Sequence, residues 1–133
     1  MSNYHVEKEW QQGDYHCVII FQPMGYRCGY VGCKEMPEGD IYELDVHGGI
    51  TYEGDGSFEW QKEGYRYIGF DCAHGGDKKD IELLKKYFPD CAEGIRFAKS
   101  CESFEKGWKI RTQEYVESEV NKLIKQIKDE KEK

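Results

Sequence analysis

The chain has 133 residues, 38% hydrophobic and 34% charged. That is enough for one domain with its own core, and too apolar for a disordered chain. The net charge of −7 argues against a duplex nucleic-acid partner, which calls for a basic face. No apolar run approaches the roughly 18 residues of a membrane span. The first residues also lack the basic and apolar regions of a signal peptide. The expected location is the cytoplasm, with no membrane partner and with the six cysteines reduced.

Met1 to Asp14 reads as a polar lead-in, in which Glu7 to Trp10 form a turn of helix or a first edge strand. His16 to Phe21 is β-branched, apolar and short, and predicts a strand. Gln22 to Gly25 is a turn, and Tyr26 to Cys33 returns as the second strand of a hairpin. Glycines 25, 29 and 32 point to bulges or close backbone approach. Lys34 to Gly39 is a loop. Asp40 to His47 alternates as a strand does, with Tyr42, Leu44 and Val46 on one face and Asp45 and His47 on the other. Gly48-Gly49 interrupts it, Ile50 to Tyr52 resumes it, and Glu53 to Gly56 is a turn. Ser57 to Gly64 is a polar connection.

Tyr65 to Cys72 is the clearest strand, with Ile68, Phe70 and Cys72 on one face and Tyr65, Tyr67 and Asp71 on the other. Lys78 to Phe88 predicts a short helix with Asp77 as N-cap and Pro89 beyond its end. Pro89 to Gly107 reads as loop-rich. Val116, Val120, Leu123, Ile124 and Ile127 form the stripe of an amphipathic helix. Its start at Thr112 lacks the Glu or Gln at 115 that a capping box requires. Lys128 to Lys133 is a charged, fraying end. The organisation is therefore a lead-in (1–14), one α+β domain (15–127) and a tail (128–133). The predicted fold is an antiparallel sheet of four to six strands, with the C-terminal helix on the Ile68/Phe70 face.

His-Gly-Gly occurs twice, at 47–49 and 74–76. A carboxylate near an imidazole raises its pKa or fixes its tautomer, and bare glycines let a ligand reach backbone N–H groups. Asp45, His47, Gly48, Gly49, Thr51 and Tyr52 form the first group of expected ligand contacts. Asp71, His74, Gly75, Gly76 and Asp77 form the second. Asp71, His74 and Asp77 are also weak candidates for a metal; nothing in the residues names a cofactor. A bulged strand with a satisfied histidine, and Asp77 as a helix cap, are the structural alternatives. Cys72 reads as a buried small hydrophobe. The absence of a C-x2-C pair argues against structural zinc. Arg27, Lys62, Arg66 and Arg96 are possible anion contacts, and Tyr52, Trp60, Tyr65 and Tyr67 possible stacking surfaces. No phosphate-binding loop, dinucleotide fingerprint or nucleophile elbow is present.

The stretches GYVGC (29–33), DVHGGITY (45–52), IGFDCAHGGD (68–77) and YVESEVNKL (115–123) resemble a family of small phage and prophage proteins. Gly75 stands where that family more often has Ala. The resemblance implies a phage origin, hence a host-cell cytoplasm, and brings no settled activity. By analogy with phage proteins that sequester nucleotide immune signals, the leading expectation is capture of a small nucleotide-derived ligand. One alternative is a metal-assisted hydrolase or phosphodiesterase, with His47 or His74 as base and Asp71 as orienter. Another is an acidic protein that inhibits a host enzyme by contact. The apolar helix face on so small a chain makes a homodimer plausible.

Overall fold

The computed structural model describes residues 4–56 and 58–133. Met1 to Asn3 of the expected lead-in, and Ser57 of the polar connection, lie outside them. The fold is α+β: a five-stranded antiparallel sheet with three helices, the last packed on the sheet.

The strands are β1 (His5–Gln12), β2 (Tyr15–Phe21), β3 (Arg27–Cys33), β4 (Tyr52–Gly54) and β5 (Arg66–Asp71). Their order across the sheet is β1-β2-β3-β5-β4. The expected lead-in is therefore largely an edge strand. Gly13-Asp14 closes the β1–β2 hairpin, and φ of +60° at Gly13 suits the first position of a II′ turn. β2 is buried along its whole length, because the sheet carries a core on each face. Cys17, Ile19, Val31, Ile68 and Phe70 meet the stripe of α3 (Gln113–Lys131) on one face. Val18, Ile20, Tyr30 and Tyr67 meet Trp60 and Phe58 on the other. The helix stripe and its partner surface are as the periodicity predicts. That stripe is spent within the chain, so it no longer argues for a dimer.

The strand glycines mark close approach rather than bulges. Gly29 pairs with Phe70, Tyr30 with Gly69 and Gly32 with Tyr67. A Cβ at Gly29 would lie 2.6 Å from the Phe70 ring, one at Gly69 2.5 Å from Tyr30, and one at Gly32 would overlap Tyr67. Each ring lies over the bare backbone of its partner, Phe70 on the α3 face of the β3–β5 pair and Tyr30 and Tyr67 on the other. The only register shift in the β1–β2 pairing falls between Val6 and Lys8.

Three expectations are corrected. Asp40 to His47 is not a strand: Ile41–Glu43 is one 3₁₀ turn, capped by the Asp40 side chain, and the rest is irregular. Of the alternating set, Leu44 and Val46 do pack on the α3-side core, but Tyr42 is exposed and Ile41, of the opposite parity, is buried instead. The first short helix, α1 (Ile81–Tyr87), is capped by Asp80, whose side chain accepts from Leu83 N; Asp77 lies outside it. The stretch read as loop-rich contains α2 (Ala92–Ser100). Its Gly94 fits against the Pro23 carbonyl, where a side chain would collide. α1 and α2 cover Phe21 through Leu84 and Ala98. Thr112 does cap α3, accepting from Tyr115 N without the second half of a capping box, and the helix runs on to Lys131. Among the described residues no helix is long and apolar enough to cross a membrane.

Gly32→Ala should destabilise the fold by about 1–3 kcal/mol, the usual cost of overpacking. Gly13→Ala, by contrast, meets no neighbour but faces a positive φ. Urea denaturation of both separates steric overlap from backbone strain.

Candidate functional site

Both His-Gly-Gly stretches are tight turns, offset by one residue. In Val46-His47-Gly48-Gly49 the Gly49 N–H donates to the Val46 carbonyl (2.8 Å), and Gly48 holds φ of +70°. In His74-Gly75-Gly76-Asp77 the Asp77 N–H donates to the His74 carbonyl (3.0 Å), and Gly76 holds φ of +93°. A positive φ at the third residue marks a type II turn, which favours glycine there. The first turn lies directly on the second. The His74 ring occupies the space that a Gly48 side chain would need, and the two imidazoles are 6.1 Å apart.

Asp77 joins the pieces. Its side chain is 1% exposed. Its oxygens accept from His47 Nε2 (3.0 and 2.8 Å), Arg111 Nε (2.7 Å) and His74 N (3.1 Å). A carboxylate can only accept, so His47 Nε2 carries a proton. In the neutral ring, Nδ1 then accepts from the Tyr115 hydroxyl, 2.8 Å away. Burial alone would raise the Asp77 pKa, but the bonds from His47 and Arg111, joined by His74 N–H, outweigh it and hold the carboxyl below its ordinary range. Arg111 is steadied further by lying over the Tyr115 ring, 5.2 Å from its centroid. The His47 N–H donates to Glu119 Oε1 (2.8 Å), completing the link to α3.

These contacts assign different roles to the two histidines. His47 is 13% exposed and has both ring nitrogens engaged. It latches three segments together and would contact a ligand through nitrogen only by giving up a bond. His74 is 38% exposed. Its Nε2 lies 3.1 Å from Asp71 Oδ1, close enough for attraction, but no aligned hydrogen bond forms. Asp71 instead accepts from Thr51 Oγ1 (2.9 Å) and Ala73 N (3.1 Å).

His47, Gly48, Thr51, Asp71, His74, Gly75, Gly76 and Asp77 are thus gathered into one cluster. Asp45 is not: its side chain is 82% exposed and pairs with Lys122 on α3. The shared strand face that was to join it to His47 does not exist. Gly49 faces open space. Tyr52 belongs to the opposite aromatic face, edge-on to Tyr30. Among the described residues no three His, Cys, Asp or Glu side chains are grouped as a metal site requires. Two oxygens already claimed by Arg111 and His47 explain why Asp77 cannot join Asp71 and His74 in one. Cys72 is buried, and that burial, with the Asp77 charge beside it, pushes its thiol far up; it is no nucleophile. Burial and Glu119 likewise raise the Tyr115 phenol.

A groove of about 360 Å³ opens along the second turn, between His74 and Gly75 on one side and Phe97, Phe104 and Trp108 on the other. Among the described residues five large apolar side chains are exposed, and three of them, Met24, Phe97 and Phe104, line this groove. Tyr26 and Lys79 also border it, the ammonium resting 5.5 Å over the Phe97 ring. The sequence reading missed this wall because it lies in the stretch taken for loops. The signal available was the exposed-aromatic spacing Phe97, Phe104, Trp108 in a segment rich in Lys and Arg. Arg111 was missed too, while the four cations singled out are committed or peripheral. Arg27 is locked to Glu7 (2.6 Å), with both side chains under 10% exposed. Arg66 pairs with Glu53 and Lys62 with Gln11. A second hollow of about 440 Å³ lies by the end of α3, walled by Glu38, Asp40, Glu43, Asp129 and Glu130. Its acidic lining opposes an anionic ligand.

No protein-family model, curated protein or solved structure matches the chain.

Asp77→Asn should cost about 3 kcal/mol, as loss of a buried ionic partner does. The depressed carboxyl contributes stability that is full above about pH 4 and disappears as pH falls through the folded-state value. The acid limb of a pH series of urea melts should therefore flatten in the variant. Gly48→Ala should lose about 1–3 kcal/mol, since the Cβ meets the His74 ring and φ is positive. An NMR spectrum of that variant should show its largest changes at His74.

Proposed function

We propose that the chain binds a small nucleotide-derived molecule in the groove beside His74, and that it acts as a phage-type protein that sequesters a nucleotide immune signal. The observation that carries the binding reading is the composition of that groove. Aromatic side chains stay exposed there, next to a glycine turn, in a part of the chain where the charge balance turns positive. From Lys78 to Arg111 there are nine Lys and Arg against six Asp and Glu, in a chain of net −7. An aromatic wall with a local cationic balance suits a molecule with a flat ring at one end and negative charge at the other. Stacking on such a wall contributes about 1–3 kcal/mol per base. The volume falls in the ordinary range of small-ligand sites.

Capture fits the cluster better than hydrolysis. His47 has no free nitrogen, the Tyr115 phenol is raised rather than activated, and His74 lacks an aligned carboxylate to orient it. The phage and counter-defence part of the proposal rests on the motif resemblance alone.

Thermal unfolding against a panel of cyclic dinucleotides, cyclic ADP-ribose isomers and mononucleotides tests the reading. A true ligand at a hundred times its Kd should raise Tm by about 10 °C. Mass spectrometry of the ligand released on denaturation should find it intact; cleaved product would establish the hydrolase instead. Phe104→Ala with Trp108→Ala should abolish the shift. Absence of any shift across the panel counts against nucleotide capture.

A further inference from the structure

We infer that Gly75, Gly76 and Arg111 form a seat for a phosphate-class oxyanion. The groove's ligand would place its charged group there if the nucleotide reading holds, but the seat stands on its own geometry. Among the described residues the N–H groups of Gly75 and Gly76 donate to no protein acceptor. A Cβ at Gly75 would meet nothing within 4 Å, so the turn faces open space. Two successive unpaired N–H groups on an exposed glycine turn are anion donors.

Arg111 supplies a positioned pair of donors. Asp77 holds it through Nε alone, and the Tyr115 ring supports its plane. Its two terminal nitrogens make no hydrogen bond among the described residues, and one lies 3.9 Å from the Cβ position of Gly76. The guanidinium is thus fixed at its inner edge, with its outer edge beside the turn. A fork held this way recognises a phosphate bidentately and loses little freedom on doing so. Lys78 and Lys109, adjacent in chain to Asp77 and Ile110 and joined by a Lys78 N–H to Lys109 carbonyl bond (2.8 Å), are exposed and form no ion pair among the described residues. Arg111 and Asp77 offset one another in charge, so the excess positive charge at the turn comes from Lys78 and Lys109; Asp71 accepts from Thr51 and Ala73. The turn is also a wall of the groove, through His74 and Gly75. One molecule can therefore rest a ring on Phe104 and Trp108 and a phosphate on the turn.

The test is an NMR titration of the full chain with inorganic phosphate, against chloride at matched ionic strength. Saturable shifts of the Gly75 and Gly76 amides and of the Arg111 Nε–H are expected; shifts no larger than chloride's overturn the seat. Gly75→Pro removes one donor at a turn position that proline favours, and it breaks no bond of the fold. It should weaken phosphate severalfold without lowering Tm. Arg111→Lys keeps the charge but loses the fork, and should weaken phosphate about tenfold. Wild-type affinity in both variants overturns the proposal. Adenosine and AMP separate the two readings. AMP tighter than phosphate, with shifts at Trp108, supports both. Phosphate shifts with no gain from the nucleoside keep the seat and sink nucleotide capture. Adenosine shifts at Trp108 without phosphate shifts at the turn do the reverse.

Discussion

A carboxylate removed from water must find enough donors to replace its hydration, and at Asp77 those donors come from three parts of the chain. His47 belongs to the irregular stretch before β4, His74 to the turn after β5, and Arg111 to the approach to α3. Each donor is useful only if all three segments are in place. The charge is therefore less a source of net stability than a specification of geometry, the better-attested role of buried ionic groups. It explains why loops with few apolar residues of their own hold a defined shape at the end of the sheet.

The rest of the molecule supplies a rigid base for that arrangement. Phe70, Tyr67 and Tyr30 lie over glycines on the two faces of the β3–β5 pair, so the strand that leads into the second turn cannot shift without a ring collision. α3 holds the other side through Tyr115 and Glu119, one turn apart, which reach the same histidine from ring and backbone. The aromatic wall stands apart from this base. Phe97 on α2 and Phe104 beyond it remain exposed, outside the three apolar cores.

Much of the fold was legible because its signals are local. β2, β3 and β5 are β-branched or aromatic runs between glycines, and α3 carries an unbroken stripe. β1 was obscure because HVEKEWQQ is charged on an edge strand, where only Val6 and Trp10 reach a core. α2 was obscure because its glycine, a poor helix former, is retained for contact with Pro23. The false strand at 40–47 shows how two anchors at i and i+2, Leu44 and Val46, imitate alternation in an irregular segment. At the site, the second His-Gly-Gly and its flanking aspartates were visible as a group. Their true partners were not, because Arg111 lies 34 residues from Asp77 and Tyr115 lies 68 from His47. Spacing within a window carries no information about such pairs.

The strand order has a consequence for assembly. β1, β2 and β3 join through short hairpins, so the first half of the sheet can close early at little entropic cost. β5 must then cross back over more than thirty residues to dock on β3, and α3 is the last segment to be made. The His74–Asp77 turn and the arginine beside it belong to these late arrivals. A chain still emerging from the ribosome lacks both the cover of one sheet face and the Tyr115 and Glu119 contacts that hold His47, so the paired turns take their shape only once the last helix has docked.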